Sequence, residues 1–252
     1  MDVSELRQIV AQSSNIVFFG GAGVSTESHI PDFRSETGLF RPGGHTTGYP
    51  PERVLSGSFF RTHPEGFFEF YRSKMLYPDA RPGKAHLALA ELERQGRLQA
   101  VITQNIDGLH QQAGSRHVLE LHGSVHRNFC LDCGTFCDLS AVIESESIIP
   151  RCRQCGGVIK PDVVLYEESL DLELLYRARD FVRSADMLIV GGTSLTVNPA
   201  AGLVAEYRGD KLILINRTPT PFDSRAQYLI RDSIGQVLEA LVANKDAKDG
   251  EA

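Results

Sequence analysis

Short apolar runs alternate along the chain with longer segments in which apolar residues recur at helical spacing. The runs are too short for helices and are rich in Val, Ile and Leu, as buried parallel strands are. They lie at residues 16–19, 99–102, 118–121, 163–165, 187–190 and 212–215. The helical segments lie at residues 4–12, 84–95, 170–183 and 234–242. This alternation predicts an α/β fold with a doubly wound, Rossmann-like parallel sheet.

Two segments interrupt the alternation of strands and helices. Residues 36–83 are rich in Pro, Gly and Phe, and residues 128–158 contain all the cysteines of the chain. We expect these two segments to form a smaller lobe, made of a helical module and a cysteine ribbon. The remaining residues, 1–35, 84–127 and 159–252, would form the Rossmann-like domain, and a cleft would separate it from the small lobe.

Four of the cysteines form two Cys-x-x-Cys pairs with eighteen residues between them. Thiolates bind zinc tetrahedrally, and this spacing is typical of a zinc ribbon. Two disulfides, or thiols without metal, are the alternatives. We predict one structural zinc ion, whose ligands are Cys130, Cys133, Cys152 and Cys155. The fifth cysteine, Cys137, is expected to be a small buried residue and not a ligand.

The composition argues against several classes of protein. The chain has 252 residues, 42% of them hydrophobic and 23% charged, as in an ordinary globular protein. Its net charge of −6 gives no broad basic surface, so we expect no direct nucleic-acid partner. No apolar run approaches the ~20 residues of a transmembrane helix. The first residues also lack a signal-peptide pattern, so we expect no membrane contact and a cytoplasmic location.

Glycine-rich loops follow two of the predicted strands. Residues 20–23 come directly after the first strand, and residues 191–192 come after the strand at 187–190. Glycines at such places let the backbone approach a pyrophosphate. Asn216 ends a further strand, where a ribose-binding group would lie. The third glycine and the acidic residue of the dinucleotide fingerprint are absent, so two tight turns without a ligand are the alternative.

A polar segment begins where the strand at 99–102 ends, which is the edge at which α/β sheets bind ligands. Gln104, Asn105 and Asp107 would be costly to bury there without partners. A helix cap formed by Asn105 or Asp107 is the structural alternative. His122 follows the next short strand, and a single histidine is more often structural than catalytic.

Taken together, these motifs resemble those of the sirtuins, a family of NAD-dependent protein deacylases. The resemblance extends from about Leu6 to Leu241 and is nearest to the compact bacterial members. It implies an NAD-dependent protein-lysine deacetylase, which transfers the acetyl group to ADP-ribose and releases nicotinamide. The matching motifs are Gly21-Ala-Gly-Val-Ser25, Ile30-Pro-Asp-Phe-Arg34, Thr103-Gln-Asn-Ile-Asp-Gly-Leu-His110, His122-Gly123, the four cysteines and Gly192-Thr-Ser-Leu195.

The resemblance also implies roles for individual residues. His122 corresponds to the general base, and Asn105 and Asp107 correspond to further catalytic positions. The acetyl-lysine peptide is implied to bind as an added strand beside Val163, Val164 and Tyr166. The residues implied to bind NAD are Ala22, Thr26, Phe33, Arg34, Gln104, Ile106, Asp107, His122, Thr193, Ser194, Asn216 and Ile234.

Three departures from the family pattern bear on this site. His29 and Glu167 stand where the family usually has glycine. Tyr71-x-x-Lys74 stands near the place where deacylases for acidic acyl groups carry Tyr-x-x-Arg. Because lysine lacks the forked donor geometry of arginine, we expect acetyl groups to be preferred over succinyl-type groups. The alternative functions are a protein mono-ADP-ribosyltransferase, a deacylase of longer or acidic acyl-lysines, and a zinc-ribbon module that senses NAD without catalysis.

Overall fold

The computed structural model of the protein describes residues 3–33, 38–39 and 48–243. Its strands are β1 (Ile16–Gly20), β2 (Leu98–Thr103), β3 (Val118–Glu120), β4 (Gly123–Cys130), β5 (Phe136–Cys137), β6 (Ile159–Val163), β7 (Met187–Gly191), β8 (Leu212–Ile215) and β9 (Tyr228–Ile230). Its α-helices are α1 (Val3–Gln12), α2 (Pro51–Val54), α3 (Gly57–Thr62), α4 (Pro64–Lys74), α5 (Lys84–Arg94), α6 (Leu109–Gln112), α7 (Ser140–Ile143), α8 (Leu172–Ser184) and α9 (Ile234–Val242). Short 3-10 segments lie at Ala22–Val24, Thr26–Ser28, Ala200–Glu206 and Asp223–Arg225.

The main sheet has six parallel strands in the order β3-β2-β1-β7-β8-β9. Numbered by their occurrence along the chain, these strands follow the order 3-2-1-4-5-6 of a doubly wound dinucleotide-binding fold. The predicted Rossmann-like sheet is therefore confirmed. The strand order reverses between β1 and β7, and ligands of such sheets bind outside the carboxyl ends of the strands at this switch point.

Both faces of the main sheet are buried, which explains why its strands appear in the sequence as unbroken apolar runs. Val17 and Phe19 of β1 point to one face, and Ile16 and Phe18 point to the other. The first face packs against α8 and the 3-10 segment at Ala200–Glu206. The second face packs against α1, α5 and α9. The apolar stripes of these helices therefore cover the sheet on both sides.

Most of the predicted elements are present. The helix predicted at 234–242 coincides with α9, and the strand predicted at 212–215 coincides with β8. The strand predicted at 163–165 is wrong, because β6 begins earlier and ends at Val163. None of the helices in the described part of the chain has the length and apolarity needed to cross a membrane.

A smaller antiparallel sheet has the strand order β5-β4-β6 and contains the cysteines. Its inner face packs against α2, α3 and α4 in a third core that is separate from the two cores of the main sheet. This core is rich in aromatic side chains, among them Phe67, Phe68 and Tyr71, which are completely buried. The helical module and the cysteine ribbon thus share one core, as expected of a small lobe. The predicted domain boundaries stay a prediction, and residues 40–47 lie outside the described residues.

Candidate active site and zinc centre

A cleft of about 870 Å³ lies at the carboxyl ends of the main-sheet strands and extends to the small lobe. This volume is within the ~300–1,000 Å³ that is usual for small-molecule sites. Every residue that the sequence predicted for NAD, catalysis or peptide binding contributes to its lining, within the described part of the chain. Arg34, the one further predicted residue, lies outside the described residues. The fold therefore brings the predicted site residues together.

The two glycine-rich loops lie against each other at the switch point. The Gly23 N–H donates to the Gly192 carbonyl at 2.8 Å. A Cβ atom at Gly23 would lie only 2.7 Å from the Gly192 Cα, and Gly192 itself has a φ of 61°. Side chains at either place would therefore separate the loops. The loops are tight turns, as the alternative without a ligand predicted. Both loops also line the cleft, where a pyrophosphate would lie.

The Asp107 carboxylate is held on both of its oxygens. Its Oδ2 accepts a hydrogen bond from Ser25 Oγ at 2.6 Å, and its Oδ1 accepts from the Leu109 N–H at 2.9 Å, at the start of α6. Asn105 Nδ2 donates to the same Ser25 hydroxyl at 3.0 Å. Asp107 thus supports a helix start, as the structural alternative proposed, while its carboxylate has a set orientation beside the cleft.

A buried histidine, His86, lies behind this network and was not predicted from the sequence. The Gly83 N–H donates to its Nδ1 at 3.1 Å, so Nδ1 is an acceptor and the proton of the neutral ring is on Nε2. This Nε2 lies 3.4 Å from Ser25 Oγ. Ser25 can therefore donate to Asp107 while it accepts from Asn105 and His86. Ser25 belonged to the glycine-loop motif, whereas His86 gave no sequence signal beyond a polar residue on the apolar face of α5.

His122 is held in the tautomer that a general base requires. Its Nδ1 lies 3.0 Å from the Gln104 carbonyl, which can only accept, so Nδ1 carries the proton and Nε2 can accept another. Burial lowers the pKa of His122 below its ordinary value of 6.5, while the bond to Gln104 partly opposes this. The ring is therefore neutral at neutral pH. Gln104 is itself fixed, because its side-chain Nε2 donates to Thr193 Oγ1 at 3.0 Å.

Asn216 lies at the carboxyl end of β8 and lines the cleft. Its side-chain Nδ2 donates to the Thr218 carbonyl at 2.8 Å. The side chain can therefore offer a ligand its oxygen, which is an acceptor suited to the hydroxyl groups of a ribose.

The cysteine tetrad forms a compact cluster in the small lobe. The Sγ atoms of Cys130, Cys133, Cys152 and Cys155 all lie within 4.8 Å of one another. Three of the distances are 3.3, 3.4 and 3.8 Å. Four thiolates at ~2.3 Å from a tetrahedral zinc ion lie about 3.8 Å apart, whereas a disulfide needs about 2.05 Å. The tetrad therefore suits a structural zinc ion, and Cys137 lies outside it, half-buried.

Residues 21–199 of the chain match the Sir2 family. The chain belongs to the Sir2 family. A relative in Clostridium acetobutylicum, named NAD-dependent protein deacetylase, is 59% identical over 240 residues, which cover 95% of this chain and 98% of the relative. A solved Sir2 structure with a deacetylated p53 peptide and 3′-O-acetyl ADP-ribose is 36% identical and has a TM-score of 0.87, covering 96% of this chain and 97% of that chain. A Sir2 structure with a p53 peptide and NAD⁺ is also 36% identical, with a TM-score of 0.83, and covers 94% and 96% of the two chains.

In this Sir2 chain, the residues after β6 are held between the two lobes. The Val164 N–H donates to the His122 carbonyl at 3.0 Å. The Tyr166 N–H donates to the Leu55 carbonyl at 2.9 Å, and the Gly57 N–H donates to the Tyr166 carbonyl at 2.9 Å. The segment predicted to bind the peptide is therefore tied both to the catalytic histidine candidate and to the helical module.

The two positions at which this chain departs from the usual Sir2 glycine have left-handed backbones. His29 has a φ of 63° and Glu167 has a φ of 74°. This region is disfavoured for residues with a Cβ atom, which explains the glycine at these positions in the family pattern. The third departure, at Tyr71 and Lys74, also lines the cleft. Burial raises the pKa of the Tyr71 hydroxyl well above its ordinary value, so the hydroxyl stays protonated.

Proposed function

We propose that this Sir2-family protein is an NAD-dependent protein-lysine deacetylase. The observation that carries the proposal is the convergence of His122, Asn105 and Asp107 on one cleft beside two glycine-rich loops, with His122 in the tautomer of a base. The deacetylase name of the relative that is 59% identical supports it. The acetyl-lysine side chain of a protein or peptide is the substrate, and nicotinamide is released.

NAD binds along the carboxyl edge of the main sheet. It supplies a ribose carbon that takes the acetyl group and a nicotinamide that leaves. The glycine loops, with Ala22, Thr26, Thr193 and Ser194, hold the phosphates and the adjoining ribose. Asn216 and Ile234 hold the adenosine end. The residues on the nicotinamide side are Phe33, Arg34, Gln104, Ile106 and Asp107.

The chain's own residues supply charge and a base. The Asp107 carboxylate is oriented by Ser25 and the Leu109 N–H, and it favours the positive charge that builds near it as nicotinamide leaves. His122 takes a proton from a ribose hydroxyl at its Nε2, because its Nδ1 proton is committed to Gln104. Transfer of ADP-ribose to another acceptor does not need this proton removal. The tautomer of His122 therefore favours deacetylation over mono-ADP-ribosyl transfer.

The zinc ion has a structural role. All four tetrahedral positions are taken by thiolates, so no position is open to substrate. Thr135 Oγ1 lies 3.1 Å from Cys133 Sγ and helps to orient that ligand. Cys130 and Cys133, at and after the end of β4, and Cys152 and Cys155, before β6, would hold the ion, which would join these two parts of the ribbon. The ribbon and the helical module, which share one core, would form the small lobe beside the cleft. The proposed location is the cytoplasm, where thiols such as those of the cysteine tetrad are kept reduced and can bind zinc.

A panel of acetyl- and other acyl-lysine peptides, incubated with and without NAD, tests this function. Mass spectrometry should show the free lysine peptide, nicotinamide and O-acetyl-ADP-ribose only when NAD is present. A peptide or protein that gains ADP-ribose while keeping its acetyl group would support the transferase instead. Nicotinamide release that does not depend on any acyl peptide would contradict the deacetylase proposal.

A further inference from the structure

Glu167 combines an unfavourable backbone conformation with a position on the wall of the cleft. Its φ of 74° lies in the left-handed region, where an L-residue with a Cβ atom is disfavoured by roughly tenfold in population. It lines the cleft directly after Tyr166, at the end of the segment that the peptide is proposed to contact. A residue stays in such a conformation only when contacts elsewhere hold it there.

Those contacts come from the helical module. Glu167 Oε2 accepts from the Ser58 N–H at 2.9 Å, and Oε1 accepts from the Ser58 hydroxyl at 3.0 Å. Ser58 lies in the first turn of α3, where N–H groups lack partners within the helix and a carboxylate is favoured. These hydrogen bonds lower the pKa of Glu167, so it is ionised at neutral pH. The charge strengthens these hydrogen bonds, and the exposure of both residues to solvent reduces that gain.

The adjoining backbone makes the same connection between the lobes. Tyr166 exchanges backbone hydrogen bonds with Leu55 and Gly57, on either side of Ser56. The next residues along the two segments are joined as well, because the Glu167 side chain accepts hydrogen bonds from Ser58. The wall of the cleft and the start of α3 are thus joined by backbone bonds at Tyr166 and by a carboxylate at Glu167.

We infer that Glu167 is a positioning residue for the peptide, because its carboxylate clamps the cleft wall at residues 163–167 to the start of α3. The clamp holds the left-handed turn in the conformation that binds the peptide. Glycine adopts such a turn without strain, so a chain with glycine there needs no clamp, whereas this chain depends on Ser58. The inference rests on the proposed deacetylase function, since it concerns the binding of the acetyl-lysine peptide.

Two substitutions separate the clamp from the backbone preference. Glu167→Ala removes the carboxylate and keeps a Cβ atom, so the binding conformation is held only in a minor fraction of molecules, and KM for the acetyl-lysine peptide should rise about tenfold. Glu167→Gly removes the carboxylate but accepts the left-handed turn, so KM should rise only about threefold. KM for NAD, kcat and zinc content should stay within about twofold of the wild-type values, because the NAD and zinc residues are untouched.

Ser58→Ala tests the clamp from its other side. It should raise KM for the peptide by about twofold to threefold in the wild-type background and cause no further rise in the Glu167→Ala background, because the two residues act through one contact. Additive effects would overturn the inference. If Glu167→Ala lowers Tm so far that its kinetics cannot be measured, Ser58→Ala alone tests the clamp. An unchanged KM for the peptide in Ser58→Ala would then refute it.

Glu173→Gln is the matched control, since Glu173 is an exposed carboxylate in the first turn of α8 and does not line the cleft. It should leave KM for the peptide unchanged. Wild-type protein that does not deacetylate any peptide would refute the proposed function itself. Active wild-type protein together with an unchanged KM in Glu167→Ala would refute the clamp alone. Equal rises in KM for the Ala and Gly variants would refute the role of the left-handed turn in peptide binding.

Discussion

Replacement of His122 should almost abolish deacetylation and leave NAD binding within a few-fold. His122→Ala removes the only proposed base at the ribose, and loss of a general base typically costs ~10²–10⁴ in rate, or about 3–5 kcal/mol in the activation free energy. His122→Ala also removes the bond to the Gln104 carbonyl at 3.0 Å. Loss of this part-buried hydrogen bond costs about 0.5–1.5 kcal/mol of stability.

His122→Asn separates the two losses. Its amide nitrogen can stand near the place of His122 Nδ1 and donate to Gln104, but it offers no base at the place of Nε2. We expect His122→Asn to be as inactive as His122→Ala, with a higher Tm. The assay is kcat/KM for one acetyl-lysine peptide at saturating NAD, with Kd for NAD measured beside it. His117→Ala, which changes an exposed histidine away from the cleft, serves as the control. Activity of His122→Asn within tenfold of wild type would refute the role of His122 as base.

The pH profile gives an independent test of the same assignment. Because burial lowers the pKa of His122 and the neutral ring is the active form, kcat/KM should rise with pH through a midpoint below 6.5 and then stay level. The low-pH limb should be absent in the residual activity of His122→Asn. A midpoint clearly above 6.5 would mean that the ring is stabilised in its charged form, contrary to its surroundings.

Three further predictions concern the zinc centre, the acyl pocket and the buried His110. Cys152→Ala, or a strong chelator, should release zinc and lower Tm and activity together; protein purified without chelators that contains no zinc by metal analysis would contradict this. Wild-type kcat/KM should be higher for an acetyl than for a succinyl form of one peptide, and Lys74→Arg should raise succinyl activity more than acetyl activity; a higher wild-type value for succinyl would reverse the assignment. Burial lowers the pKa of His110 to about 3, so the unfolded chain binds a proton below pH 6.5 that the native chain does not bind, and stability is lost as pH falls. The free energy of unfolding, measured with urea, should fall between pH 8 and pH 5.5 in both proteins. The fall should be about 1.4 kcal/mol smaller in His110→Phe than in wild type. An equal fall in both proteins would exclude this contribution of His110.

Strand β4 could not be predicted from the sequence, because a polar side chain is buried in it and an apolar side chain is exposed. β4 was missed because Asn128 is completely buried in it while Phe129 is 38% exposed. The amide nitrogen of Asn128 donates to the carbonyls of Val125 and Cys137, which lie on β4 and β5. The Cys137 partner is in place only once β4 and β5 have paired. The sequence of β4 therefore lacks the regular alternation of apolar and polar residues that predicts a half-buried strand.

The sequence alone determined the features that depend on local spacing. The apolar runs of β1, β7 and β8 determine buried parallel strands, the glycines at residues 20–23 and 191–192 permit close backbone approach, and each Cys-x-x-Cys pair brings two thiolates within reach of one metal. Each of these properties follows from the covalent chain over a few residues. The order of the motifs then identified the family and fifteen of the residues that line the cleft.

Only the tertiary structure decided the properties that depend on distant partners. The tautomer of His122 is set by the Gln104 carbonyl, and the orientation of Asp107 is set by Ser25, 82 positions away. The left-handed turn at Glu167 is held by Ser58, 109 positions away. Hydrogen bonds act only within about 3.5 Å, and burial depends on everything that packs around a group. Protonation, orientation and strain at the site therefore become defined only when the two lobes have folded together.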